Sequence, residues 1–147
     1  MMDKVDVELS RRLAAVTGAR DGQCWNNALD TMTRLVGKES KPDCLYVEGF
    51  AVIANGEPRE HAWIELDGRI VDTTPVYTDP HSLGFVKYFS ALRYTFQKMI
   101  ETLYGESAVM AWGIPPLGLR FGGRDTAEYK AALHAAIDST VARQGAF

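Results

Sequence analysis

A thiol, an imidazole and a carboxylate supply a nucleophile, a general base and an orienting group. This chain offers them in that order at Cys24, His61 and Asp72. In such a set the thiolate attacks an acyl carbon and the imidazole moves the proton. The carboxylate fixes the imidazole's tautomer and stabilises its charged form. Cys24 follows Gly22-Gln23 and opens a segment of helical periodicity. Unpaired N–H groups and the dipole at a helix start favour a thiolate, and the same N–H groups can receive a developing oxyanion.

A hairpin must bring the other two residues together. From His61 to Leu66 the side chains alternate, with His61, Trp63 and Glu65 on one face and Ala62, Ile64 and Leu66 on the other. Asp67-Gly68 is a two-residue turn signal. Such a turn pairs Leu66 with Arg69, Ile64 with Val71 and Trp63 with Asp72, so Asp72 shares a face with His61. The two are then diagonal cross-strand neighbours about 7–8 Å apart at the backbone, a gap that two side chains can close. A three-residue loop would flip the parity and separate them.

The remaining elements follow from periodicity and breakers. Val5, Leu9, Leu13 and Val16 predict a helix over 3–17, and the segment 17–22 reads as a loop. Trp25, Ala28, Leu29, Met32, Leu35 and Val36 predict a second helix over 24–36, with Asp21 as its N-cap and Gly37 as its C-cap. Residues 45–54 are apolar on both parities apart from Glu48 and Gly49, as in a central strand covered on both faces. A strand over 69–73 ends at Pro75, and 76–84 reads as loop. A short strand is expected at 85–89 and a helix over 93–104 from Phe96, Met99, Ile100 and Leu103. Prolines and glycines make 114–124 irregular, and an Ala-rich helix is expected over 126–142. The order gives an α+β domain spanning 1–147.

The local words add a resemblance. Gly22-Gln23-Cys24-Trp25, His61-Ala62-Trp63 and Asp72-Thr73-Thr74-Pro75 resemble, in order, the transglutaminase motifs around the nucleophile, the histidine and the aspartate. They span roughly residues 20–76. The resemblance implies the papain-like, transglutaminase-like core, in which a helix bearing the cysteine packs on an antiparallel sheet bearing the other two. Residue by residue it makes Cys24 the nucleophile, His61 the general base and acid, and Asp72 the orienter. The compact spacing is more similar to small bacterial and phage members than to the large animal enzymes, and no acidic cluster resembles a calcium site. Asn26-Asn27 departs from the aromatic-containing continuation of the animal enzymes.

Four neighbours are weaker candidates for oxyanion or substrate binding. Gln23 offers a side-chain amide beside the nucleophile. Trp25 and Trp63 flank the site, and Trp63 can shield the His–Asp pair from water. Glu48, alone in an apolar strand, is either buried and paired or close to the cleft. Cys44, His81 and His134 read as structural or surface residues. Gly122-Gly123-Arg124 lacks the preceding strand that a phosphate cradle needs.

Composition narrows the rest. The 147 residues are 46% hydrophobic and 24% charged, enough for one buried core. A net charge of -3 without a basic stripe argues against nucleic-acid binding. No apolar run approaches the roughly 18–20 residues of a membrane span, and the charged N-terminus does not read as a secretory signal. Two cysteines are too few for a disulfide scaffold, so reduced thiols in a cytoplasm are expected, with no cofactor and no metal. The expected activity is acyl chemistry on a peptide or protein amide through a thioester. Hydrolysis is favoured over transfer to an amine, because a domain this small has little structure to spare for a water-excluding tunnel. The alternatives are a non-catalytic binding module on the same fold and a zinc site built from the same three residues. The zinc reading lacks the close ligand pairs typical of such sites.

Overall fold

The computed structural model describes residues 4–38, 43–54, 56–79, 86–104 and 123–144. Helix α1 spans Val7–Thr17. It starts where the Asp6 side chain accepts a hydrogen bond from the Leu9 N–H, and closes at Gly18, which adopts φ 70°. Helix α2 spans Cys24–Lys38. Strands β1 (Cys44–Ile53), β2 (Arg59–Leu66), β3 (Arg69–Val71) and β4 (Val86–Thr95) form one antiparallel sheet in the order β3-β2-β1-β4. Helix α3 spans Phe96–Tyr104 and α4 spans Ala127–Gln144, with 3-10 turns at Pro75–Thr78 and Gly123–Asp125. The class is therefore α+β, as the element order implies.

The hairpin forms as its turn dictates. Asp67 and Gly68 both take positive φ, 50° and 79°, which matches the right-handed twist of the flanking strands. The register is Leu66 with Arg69, Glu65 with Ile70 and Ile64 with Val71. The ladder stops there, so Asp72 lies just past the end of β3.

The sheet is covered on both faces. Tyr46, Ala62, Ile64 and Leu66 pack with Ala28 and Met32 of α2 and with Met99 of α3. Val47, Trp63 and Ile70 form a second cluster on the other face, against Val5. Ala132 and Ala136 of α4 cover Phe50, Val52 and Ala91. β1 is buried along most of its length because it has a strand on each side and cover on each face.

Several expectations need correction. Asp21 does not cap α2; its carboxylate accepts from the Val76 N–H at 2.7 Å, and it lies three residues before the helix's first residue, Cys24. Gly37 does not end α2, which continues to Lys38; a glycine costs a helix only about 1 kcal/mol, and packing overrides it. The strand expected at 85–89 runs to Thr95, so the helix expected from 93 starts at Phe96. Pairing with the whole of β1 outweighs the local preference at 93–95. β3 ends at Val71, two residues early. Of the irregular segment 114–124, residues 114–122 lie outside the described residues, as do Phe85 and His81.

Candidate functional site

Cys24 is the first residue of α2, and His61 sits near the start of β2. What fixes their separation is a set of bonds between α2 and the segment after β3. Asn27 Nδ2 donates to the Arg20 carbonyl at 2.7 Å and to Thr74 Oγ1 at 2.9 Å, and Asn27 Oδ1 accepts from the Arg20 N–H at 3.2 Å. One turn on, Thr31 Oγ1 lies 2.9 Å from Thr73 Oγ1. The four side chains in these bonds, Asn27, Thr31, Thr73 and Thr74, are all buried. The residues after Asp72 thus stitch α2, the helix that Cys24 begins, to the hairpin.

Asp72 itself is 1% exposed. Its backbone N–H donates to Ser10 Oγ at 3.0 Å, and its Oδ1 accepts from the Thr74 N–H at 3.1 Å. Its Oδ2 lies 2.7 Å from His61 Nε2, also 1% exposed. The diagonal reach expected from the turn is the contact observed. Pro75 then opens a 3-10 turn that lays Tyr77 on the imidazole, ring centroids 4.0 Å apart.

Burial alone would lower the pKa of His61. The charge and hydrogen bond of Asp72, joined by the hydrogen bond and charge of Cys24, overcome that and raise it to about 9. Nε2 is the ring nitrogen engaged by Asp72, so Nδ1 is the one outside that bond. Among the described residues no group of three His, Cys, Asp or Glu is placed to hold a metal ion.

The weaker candidates divide. Trp63 is buried and stacks on His61 at 5.9 Å, and its indole nitrogen has no partner among the described residues. Trp25 is half-buried and packs against the α2 core cluster. Gln23 is exposed, with its side-chain oxygen 3.3 Å from Asn26 Nδ2. Glu48 is fully buried and accepts from the Tyr46 hydroxyl at 2.7 Å, so of its two readings the structure has the buried, paired one. Burial first, then Glu48 and more weakly Cys24, holds the Tyr46 hydroxyl well above its ordinary pKa. Cys44 is buried in the core, and His134 is exposed on α4.

Sequence reasoning missed Tyr77 and Tyr88. Tyr88 on β4 donates its hydroxyl to Asp72 Oδ2 at 2.8 Å and packs edge-on against Trp63. Tyr77 falls in a stretch that reads as loop, and Tyr88 reaches the site across β1, a placement no local pattern encodes. A cavity of about 890 Å³ lies beyond Trp63 and Tyr88, between β4 and α4. Neither Cys24 nor His61 lines it, so its size is no measure of a cleft at the thiol.

Comparison with protein-family models, with curated proteins and with solved structures gives no match. No helix among the described residues is long and apolar enough to cross a membrane.

Proposed function

We propose that the protein is a cysteine-nucleophile acyl enzyme acting on a peptide or protein amide, peptide bond or glutamine-type side chain, in the manner of the transglutaminase-like proteins its motifs resemble. The observation that carries this reading is the buried Asp72–His61 pair, whose imidazole is held above its ordinary pKa by Asp72 and, more weakly, by the Cys24 thiol at the start of α2. A papain-like arrangement of helix on sheet accords with α2 packing across β1 and β2.

In the acylation step the Cys24 sulfur forms a bond to the carbonyl carbon. The carbon–nitrogen bond breaks, and the departing amine takes its proton from the His61 imidazolium. In the second step a water oxygen attacks the thioester, His61 accepts the water's proton, and the carbon–sulfur bond breaks to return the thiol. The N–H groups that a helix start leaves without intrahelical partners would receive the oxyanion formed in each step. Hydrolysis is favoured over amine transfer, no cofactor is required, and a cytoplasmic setting would keep the thiol reduced.

The test is intact-mass trapping of a thioester on Cys24 with a panel of peptide and glutamine amides, together with assay of released amine or ammonia. The expected result is an acyl adduct that is absent in Cys24→Ala. A folded protein that binds such peptides with no adduct and no release would favour the binding module instead.

A further inference from the structure

Asp72 Oδ2 is shared. His61 Nε2 lies 2.7 Å from it and the Tyr88 hydroxyl 2.8 Å. The phenol arrives there through an irregularity in β4. Glu48 pairs with Leu92 but Gly49 pairs with Ser90, so Ala91 is an extra residue. Beyond that bulge Tyr88 stands opposite Ala51. An unbroken register would set Phe89 there and turn Tyr88 to the other face. Ala51 has the parity of Val47 and Gly49, whose partners in β2 are Trp63 and His61. The bulge therefore decides whether a phenol or a phenyl ring faces Asp72. It also depends on Gly49, because a Cβ there would collide with the Phe89 carbonyl oxygen.

We propose that Tyr88 is a positioning residue of the Cys24–His61–Asp72 site, fixing through its hydroxyl which oxygen of Asp72 faces His61 and how strongly that oxygen holds the imidazole. This rests on the acyl-enzyme reading of the site. Two effects follow from the bond. The carboxylate is held from both sides, by Tyr88 at Oδ2 and by the Thr74 N–H at Oδ1, so it cannot rotate away when the imidazole changes charge. The hydroxyl proton also brings a positive dipole end to the oxygen that faces the imidazolium, and so works against the charged form.

The experiment uses Tyr88→Phe, which keeps the ring against Trp63 and removes only the hydroxyl. The His61 titration midpoint is followed by NMR in the Cys24→Ala background, so the thiol does not contribute. The other titratable groups facing the imidazole are Asp72 after β3, Tyr77 of the 3-10 turn and Tyr88 of β4. Tyr77 is pushed up to about 12, chiefly by burial, and stays neutral throughout the range. The midpoint is expected to rise in Tyr88→Phe. It is expected to fall when position 88 carries 3-fluorotyrosine, a stronger donor, and this second probe stands should the first fail to fold. With Cys24 restored, Tyr88→Phe should lower kcat roughly ten- to hundredfold with little change in KM, as for a misaligned catalytic group. A midpoint indifferent to both changes, alongside Cys24-dependent turnover, overturns the role of Tyr88 alone. Absence of Cys24-dependent turnover in the unmodified protein overturns the acyl-enzyme reading, whatever the midpoint does.

Discussion

Cys44 begins β1 with 2% of its surface exposed, its Sγ 3.5 Å from Met32 Sδ inside the cluster that holds α2 to the sheet. Cys24 begins α2, half-buried, where the imidazole of His61 reaches it. Both thiols start a regular element, and both lie near the same helix. They differ in their surroundings: a thioether and aliphatic side chains for one, an imidazole backed by a buried carboxylate for the other. The first setting makes a small hydrophobe of a cysteine. The second is the setting that the proposed acyl chemistry needs of a nucleophile. Reactivity here is a property of what the fold places opposite the sulfur, and residue type supplies only the possibility.

The sharpest way to break this contrast is to remove each thiol in turn. Cys24→Ala is expected to abolish amide turnover while shifting the unfolding free energy by no more than about 1 kcal/mol, the usual range for a site away from the core. An active Cys24→Ala protein would end the distinction. The orienting group should behave in the opposite way. Asp72→Ala leaves a buried imidazolium unpaired and orphans the Thr74 N–H and the Tyr88 hydroxyl, so a loss of about 3–5 kcal/mol is expected in urea unfolding. A loss below 1 kcal/mol would mean the pair is not buried as described.

The pH dependence of stability extends the comparison to His61. Its pKa is raised in the folded protein from 6.5 to about 9, so the folded state binds the proton more tightly than the unfolded chain does. The pair's contribution is therefore fully present below pH 6.5 and is lost as pH rises towards 9. Stability followed by thermal or urea unfolding should fall across that interval by a few kcal/mol at most, and the slope should vanish in His61→Ala. Smallest of all, Cys44→Ala is expected to cost about 1–2 kcal/mol for the cavity it leaves, with turnover unchanged.

How much of this was legible differs by distance along the chain. The His61–Asp72 contact follows from a two-residue turn, because Asp67-Gly68 fixes the register and the register fixes the face. The apolar stripe of α2 and its packing on the sheet follow from period alone. Asp21 resembles a cap in the sequence, but its carboxylate serves the Val76 N–H, fifty-five residues away, and no cap pattern encodes such a partner. Tyr88 was invisible for the same reason: one bulged residue in a strand paired with β1 decides its face. The Asp72-Thr73-Thr74-Pro75 word reads in the sequence as a motif centred on its aspartate. In the fold its two threonines tie α2 to the hairpin, and its proline starts the turn that seats Tyr77.

The central claim is that His61 acts on Cys24, and the rate of iodoacetamide modification of Cys24 against pH, read by intact mass with His61→Ala as the control, tests it most directly. A fast reaction near neutral pH, slowed at least roughly tenfold in His61→Ala, is the predicted result. A slow reaction, at the same rate in both proteins, would contradict it and leave the fold as a binding domain.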